Sequence, residues 1–164
     1  MPDTVDTRRV RDRRPLRFET IDALLAEVDR IEAADAAGRL RCIGNWSAGQ
    51  VMGHVAAWID YGYDGYPLKP PPWPIRVVLR FLKGRYLRNG MPVGRRIPGV
   101  PDGTYGTEPM STAAGAAALR RAARRLASGE PARFPSPAFG PMPESERIAL
   151  NLRHAELHLG FLHA

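Results

Sequence analysis

Apolar residues recur every three or four positions over four main stretches of this chain, and prolines and glycines crowd the intervals between them. That spacing marks amphipathic helices, whose inward face repeats with a period of 3.6 residues. The first stretch predicts a helix over about 18–37, with Ile21, Leu24, Leu25, Val28 and Ile31 on one side and Gly38 as its stop. The second opens with Ser47 and, three residues later, Gln50. This is a capping box, in which each side chain satisfies a backbone N–H of the other's end, so the helix starts at Ser47. At 100° per residue Val51, Trp58 and Tyr61 fall within roughly 60° of His54, which places that histidine on the inward face.

Tandem prolines in the segment 62–73 break this helix. A short helix is expected over about 74–88, with Pro74 in its first turn and Val77, Val78, Phe81 and Leu82 as a stripe. Residues 89–109 form an irregular excursion, and a loop of that length in a compact domain is usually functional or mobile. The third main helix spans about 111–127 and is rich in alanine, which permits close helix packing. The fourth starts near Pro143 and runs to the end, with Glu144 and Glu146 placed where the helix dipole favours acids. No stretch alternates with the period of a strand. The fold class expected is all-α, a four-helix bundle with a long excursion between helices 2 and 3. Residues 1–14 carry five arginines and three aspartates with little to bury, and are expected to be a flexible basic arm on a single helical-bundle domain over 15–164.

Composition narrows the function classes. The N-terminus is polar without an apolar run, so it does not read as a secretory leader. No stretch approaches the roughly 20 apolar residues of a membrane span, so a cytoplasmic protein with no membrane partner is expected. The single cysteine, Cys42, excludes an internal disulfide and a cysteine-based metal cluster, and is read as a buried or half-buried thiol. The net charge is +7, and residues 76–96 hold seven basic side chains and no acid. No nucleic-acid-binding motif accompanies them, so a solvated basic face, or one that receives an anionic small substrate, is the better reading.

The histidines carry the chemistry. His154 and His158 are four residues apart on the last helix, hence one turn apart on one face. They flank the core stripe of Ile148, Leu152, Ala155, Leu159 and Leu162. Together with His54 from a facing helix they form a candidate three-histidine metal site, and three protein ligands leave a position open for water or substrate. Neutral imidazole suits zinc, nickel or iron. Glu156 points elsewhere, and His163 lies on the opposite flank as a surface or packing residue. Asp60 and Asp64 sit at the end of the second helix as solvated acids or as a base near the metal. Trp46, Trp58 and Trp73 read as core and loop anchors.

With these residues in hand, the chain resembles the DinB/YfiT-like superfamily of metal-dependent bacterial proteins, in a branch of unknown function. The features are GNWSAGQVMGHVAAWI, the excursion NGMPVGRRIP, the late PAFGPMPESE and the terminal HAELHLGFL. The resemblance covers about residues 16–163 and implies an up-down-down-up four-helix bundle. It further implies a metal held by His54, His154 and His158, frequent homodimers, and transferases or isomerases that use low-molecular-weight thiols with a divalent ion. The chain departs from that pattern at Ser136, where relatives carry a histidine, and at Leu159, where they carry a second one. The function expected is a divalent-metal-dependent enzyme, a thiol-dependent transferase or a hydrolase acting on a small molecule. The alternative is a non-catalytic helical module whose basic surface binds nucleic acid or an acidic partner.

Overall fold

The structure, a computed structural model, describes residues 5–100 and 103–164. It is mainly helical: after a short 3-10 turn, Thr7–Arg9, come α1 (Ile21–Ala36), α2 (Ala48–Asp64), α3 (Trp73–Asn89), α4 (Thr112–Ala127) and α5 (Glu144–Leu159). Two strands of two residues, β1 (Arg41–Cys42) and β2 (Leu162–His163), make one antiparallel ladder among the described residues.

The helix starts follow from local chemistry. Thr20, Ser47 and Ser111 each accept a bond from a backbone N–H of the first turn of α1, α2 and α4. At α2 the box is reciprocal: Gln50 N–H donates to Ser47 Oγ at 3.3 Å and Ser47 N–H donates to Gln50 Oε1 at 3.0 Å. The inner stripes then close one core. Leu24, Val28 and Ile31 of α1, Met52 and Val55 of α2, Leu119 and Leu126 of α4, and Leu159 of α5 are all fully buried. Truncating any of these leucines to alanine costs about 2–5 kcal/mol. α2 packs most extensively on α4, and glycines set how near the two helices come. A Cβ on Gly115 would lie 2.5 Å from the Gly49 carbonyl oxygen, a distance that no side chain tolerates.

Three features depart from the expected pattern. The last helix does not run to the end: it stops at Leu159 and the chain turns into β2. The backbone groups beyond it find better partners elsewhere, since Ile43 N–H donates to the Phe161 carbonyl at 3.0 Å and Arg14 N–H to the Gly160 carbonyl at 2.9 Å. Second, the stripe of α3 faces outward. Val77, Val78 and Phe81 are exposed, Phe81 to 85%, as is Trp73. α3 leans on α5 with its other side, where Lys83 pairs with Glu146 at 2.6 Å, and Tyr86 meets Phe139 edge-on. Apolar spacing alone does not say which of two stripes docks. Third, Cys42 is exposed, because its two-residue strand sits at the surface and offers no interior to enter.

Of the arm expected over 1–14, residues 1–4 lie outside the described residues. Residues 5–14 are bonded to the body. Val5 N–H donates to Asn45 Oδ1 at 2.8 Å and Asn45 Nδ2 donates to the Val5 carbonyl at 2.9 Å. Arg13 donates to the Leu157 carbonyl at 2.9 Å, Arg14 pairs with the buried Glu27, and the Asp12 carbonyl bonds His163 Nε2 at 2.7 Å. No helix among the described residues is long and apolar enough to cross a membrane.

Candidate metal centre

α2 carries His54 midway along its length, and α5 carries His154 and His158 one turn apart. The packing of α2 against α5 brings the three rings together. Their centroids are 5.0 Å (His54–His154), 4.5 Å (His54–His158) and 4.6 Å (His154–His158) apart. One ring nitrogen from each lies within 4.8 Å of the other two. A tetrahedral ion with metal–nitrogen bonds of ~2.05 Å holds its ligand nitrogens about 3.3 Å apart, so the cluster is wider than a loaded site by at most about 1.5 Å. His54 is buried, and His154 and His158 keep part of their surface exposed.

The orientation of His54 is fixed from behind. Its Nδ1 lies 2.8 Å from the Tyr105 carbonyl oxygen, which can only accept, so Nδ1 carries the proton and Nε2 keeps its lone pair for the cluster. A hydrogen bond of this kind on the far nitrogen is the usual device that sets a ligand histidine's tautomer. The same loop is strapped to α2 at two further points, each four residues away. Gln50 Nε2 donates to the Thr107 carbonyl at 3.1 Å, and Trp58 Nε1 donates to the Tyr105 carbonyl at 3.3 Å. Gly106 makes this approach possible. Its φ is +75°, and a Cβ there would stand 2.7 Å from Ala57 Cβ.

The rings are neutral for a physical reason. Burial pulls His54 down from its ordinary value to about 4, against the Tyr105 carbonyl and Glu108, which favour the proton. Burial also holds His154 and His158 well below their ordinary range, helped by the neighbouring imidazoles and, for His158, by Arg13. An unprotonated imidazole is the form that binds a metal. The donor set, its spacing and its protonation therefore fit a divalent ion.

Two indoles wall the cluster. Trp46 stacks on His158 at 5.5 Å, and Trp58 meets His154 edge-on at 5.8 Å. The remaining candidates lie elsewhere. Glu156 accepts from Phe18 N–H and pairs with Arg153. His163 bonds the Asp12 carbonyl. Asp60 and Asp64 are both engaged by Arg125, at 3.3 and 2.8 Å. Trp73 is 70% exposed at the start of α3. Sequence reasoning missed Tyr105, Trp46 as a wall, and Arg13. Tyr105 acts through its backbone, so side-chain identity carries no signal, and only the flanking glycines of GTYGT hint at a tight approach.

The class so defined is a helical protein with a three-histidine cluster suited to a metal. The model of a family described as a protein of unknown function, DUF1569, matches residues 10–164, and the chain belongs to that family. No curated protein and no solved structure matches the chain significantly.

Proposed function

We propose that this protein is a divalent-metal-dependent enzyme of the DinB-like superfamily, a thiol-dependent transferase or a hydrolase. In this reading α1, α2, α4 and α5 are the four helices of the up-down-down-up bundle, α3 belongs to the excursion, and two copies associate. The observation that carries the proposal is the meeting of three desolvated, neutral imidazoles from two helices, one of them aimed by a backbone carbonyl. His54, His154 and His158 hold the ion, zinc, nickel or iron, and three protein ligands leave a coordination position for water or substrate. When bound, a divalent ion lowers the pKa of a coordinated water or thiol toward neutrality. Trp46 and Trp58 shield the flanks of the cluster and orient the reacting molecule. The Tyr105 carbonyl keeps the His54 proton on Nδ1.

Elemental analysis of natively purified protein tests the metal, beside His54→Ala, His154→Ala and His158→Ala variants. About one divalent ion per chain, lost in each variant, is the expected result. Full occupancy in all three variants would sink the reading. Turnover of thiol-transfer and ester substrates with the loaded protein then tests the reaction class. One observation favours a second reading: the outward face of α3 joins exposed Trp73, Val78 and Phe81 to Arg85 and Arg88. A module that docks an acidic partner or nucleic acid there would bind with a steep salt dependence and would ignore chelators.

A further inference from the structure

A cleft of about 280 Å³ opens between the proline-rich turn after α2, the flank of α3 and the segment 134–141 that leads into α5. Tyr66, Leu68 and Phe134 give it apolar walls, and Arg76 and Arg80 are its only charged lining residues among those described. Neither arginine has an ion-pair partner among the described residues, so no acid of the protein neutralises the two positive charges that line the cleft. Arg80 reaches the same place from one turn further along. Its guanidinium would lie 3.0 Å from a Cβ on Gly140, whose φ of +74° turns the backbone out of its way. The cleft is joined to the histidines through two aromatic rings. Tyr66 lines it, the Tyr66 ring lies 6.1 Å from Trp58, and Trp58 is the ring that walls His154.

We propose that this cleft is an anion subsite, in which Arg76 and Arg80 hold the carboxylate or phosphate of a small molecule whose apolar body lies against Tyr66 and Phe134. Planar, fixed guanidinium donors suit the two or three oxygens of such a group. The inference rests on the metal-centre reading for one point, that the other end of the same molecule reaches the histidines. It thereby names the substrate class as a small amphiphilic anion.

The test measures binding by calorimetry at fixed ionic strength, with the full chain both chelator-treated and zinc-loaded. The probes are phenyl phosphate and phenylacetate, with benzyl alcohol as the neutral analogue and inorganic phosphate as the anion without a body. At least one aryl anion is expected to bind both forms of the protein, at least about tenfold tighter than benzyl alcohol and than inorganic phosphate. Which of the two binds better identifies the head group. Arg76→Ala and Arg80→Ala should each weaken that binding about tenfold while leaving zinc stoichiometry unchanged. Arg124→Ala, which removes the same charge from the exposed side of α4, outside the cleft, should leave it unchanged within about twofold. Should Arg76→Ala fail to fold, Arg76→Lys keeps the charge, loses the fork, and should still weaken binding. A His154→Ala/His158→Ala variant should lose zinc and keep the anion, which separates failure of this site from failure of the metal centre. Equal affinity for benzyl alcohol, equal loss in Arg124→Ala, or no binding of either aryl anion to the wild-type protein would overturn the proposal.

Discussion

Gly106→Ala puts the orientation of His54 to a quantitative test. The residue has φ +75°, where an L side chain costs about 1–2 kcal/mol. Its new Cβ would stand 2.7 Å from Ala57 Cβ, about 1 Å inside the normal contact distance of carbon atoms. The loop has to back away from α2 by a similar amount. The Tyr105 carbonyl, now 2.8 Å from His54 Nδ1, would then pass beyond hydrogen-bond reach. Summing strain and overlap, the variant should lose about 2–5 kcal/mol of stability. More tellingly, losing the partner of a ligand histidine weakens metal binding about 10- to 100-fold. The assay is zinc competition against a chromophoric chelator, run with urea unfolding of the same samples. Adding Ala57→Gly removes the overlap but not the φ cost, so the double variant should recover most of the zinc affinity and only part of the stability. A Gly106→Ala protein that is destabilised yet binds zinc within twofold of wild type would refute the argument that this carbonyl aims the imidazole.

Three further outcomes are expected. In the metal-free protein His54 titrates near 4 when folded and near 6.5 when unfolded. Between those values the unfolded chain binds the extra proton, so the full stability holds above pH 6.5 and falls as pH drops toward 4, by about 3 kcal/mol for this residue. Urea midpoints from pH 7 to 4.5 should fall less steeply in His54→Leu than in wild type, and parallel curves would count against it. Gly115→Ala drives a Cβ toward the Gly49 carbonyl and should cost about 1–3 kcal/mol or more, read as a lower urea midpoint at unchanged m-value. Ser47→Ala removes the cap of α2 and should cost about 1 kcal/mol in the same experiment.

Much of the site was readable from spacing. The four-residue interval of His154 and His158 and the inward angle of His54 are properties of any helix, and the capping box dated the start of α2 to the residue. The inner stripe of α1 followed from its period, with Leu24, Val28 and Ile31 fully buried. What periodicity does not encode is which face of a helix finds a partner. The Val77, Val78 and Phe81 stripe on α3 was as good a candidate for burial as that of α1, but the docking is decided by Lys83, Tyr86 and the segment below them. Nor does it encode backbone acceptors. The Tyr105 carbonyl, the Phe161 carbonyl that ends α5 as a helix and starts a ladder, and the bonds that fix residues 5–14 all depend on chain segments far apart in sequence.

The three-rung strap from Gln50, His54 and Trp58 has a consequence for how this chain tolerates changes in length. Its acceptors, at Tyr105 and Thr107, are read off against a helix of fixed rise, so one residue inserted between them would put the Gln50 rung out of register with the rungs of His54 and Trp58. Upstream, the chain between Gly90 and Ile97, whose N–H bonds the Gly103 carbonyl at 2.7 Å, closes a loop whose entropy grows only slowly with length, about 0.6 kcal/mol for each doubling. The excursion is thus divided into a stretch where insertions and deletions are nearly free and a neighbouring stretch where a single one is decisive. Libraries that vary the length of this region should recover indels between Gly90 and Ile97, and none between Tyr105 and Thr107.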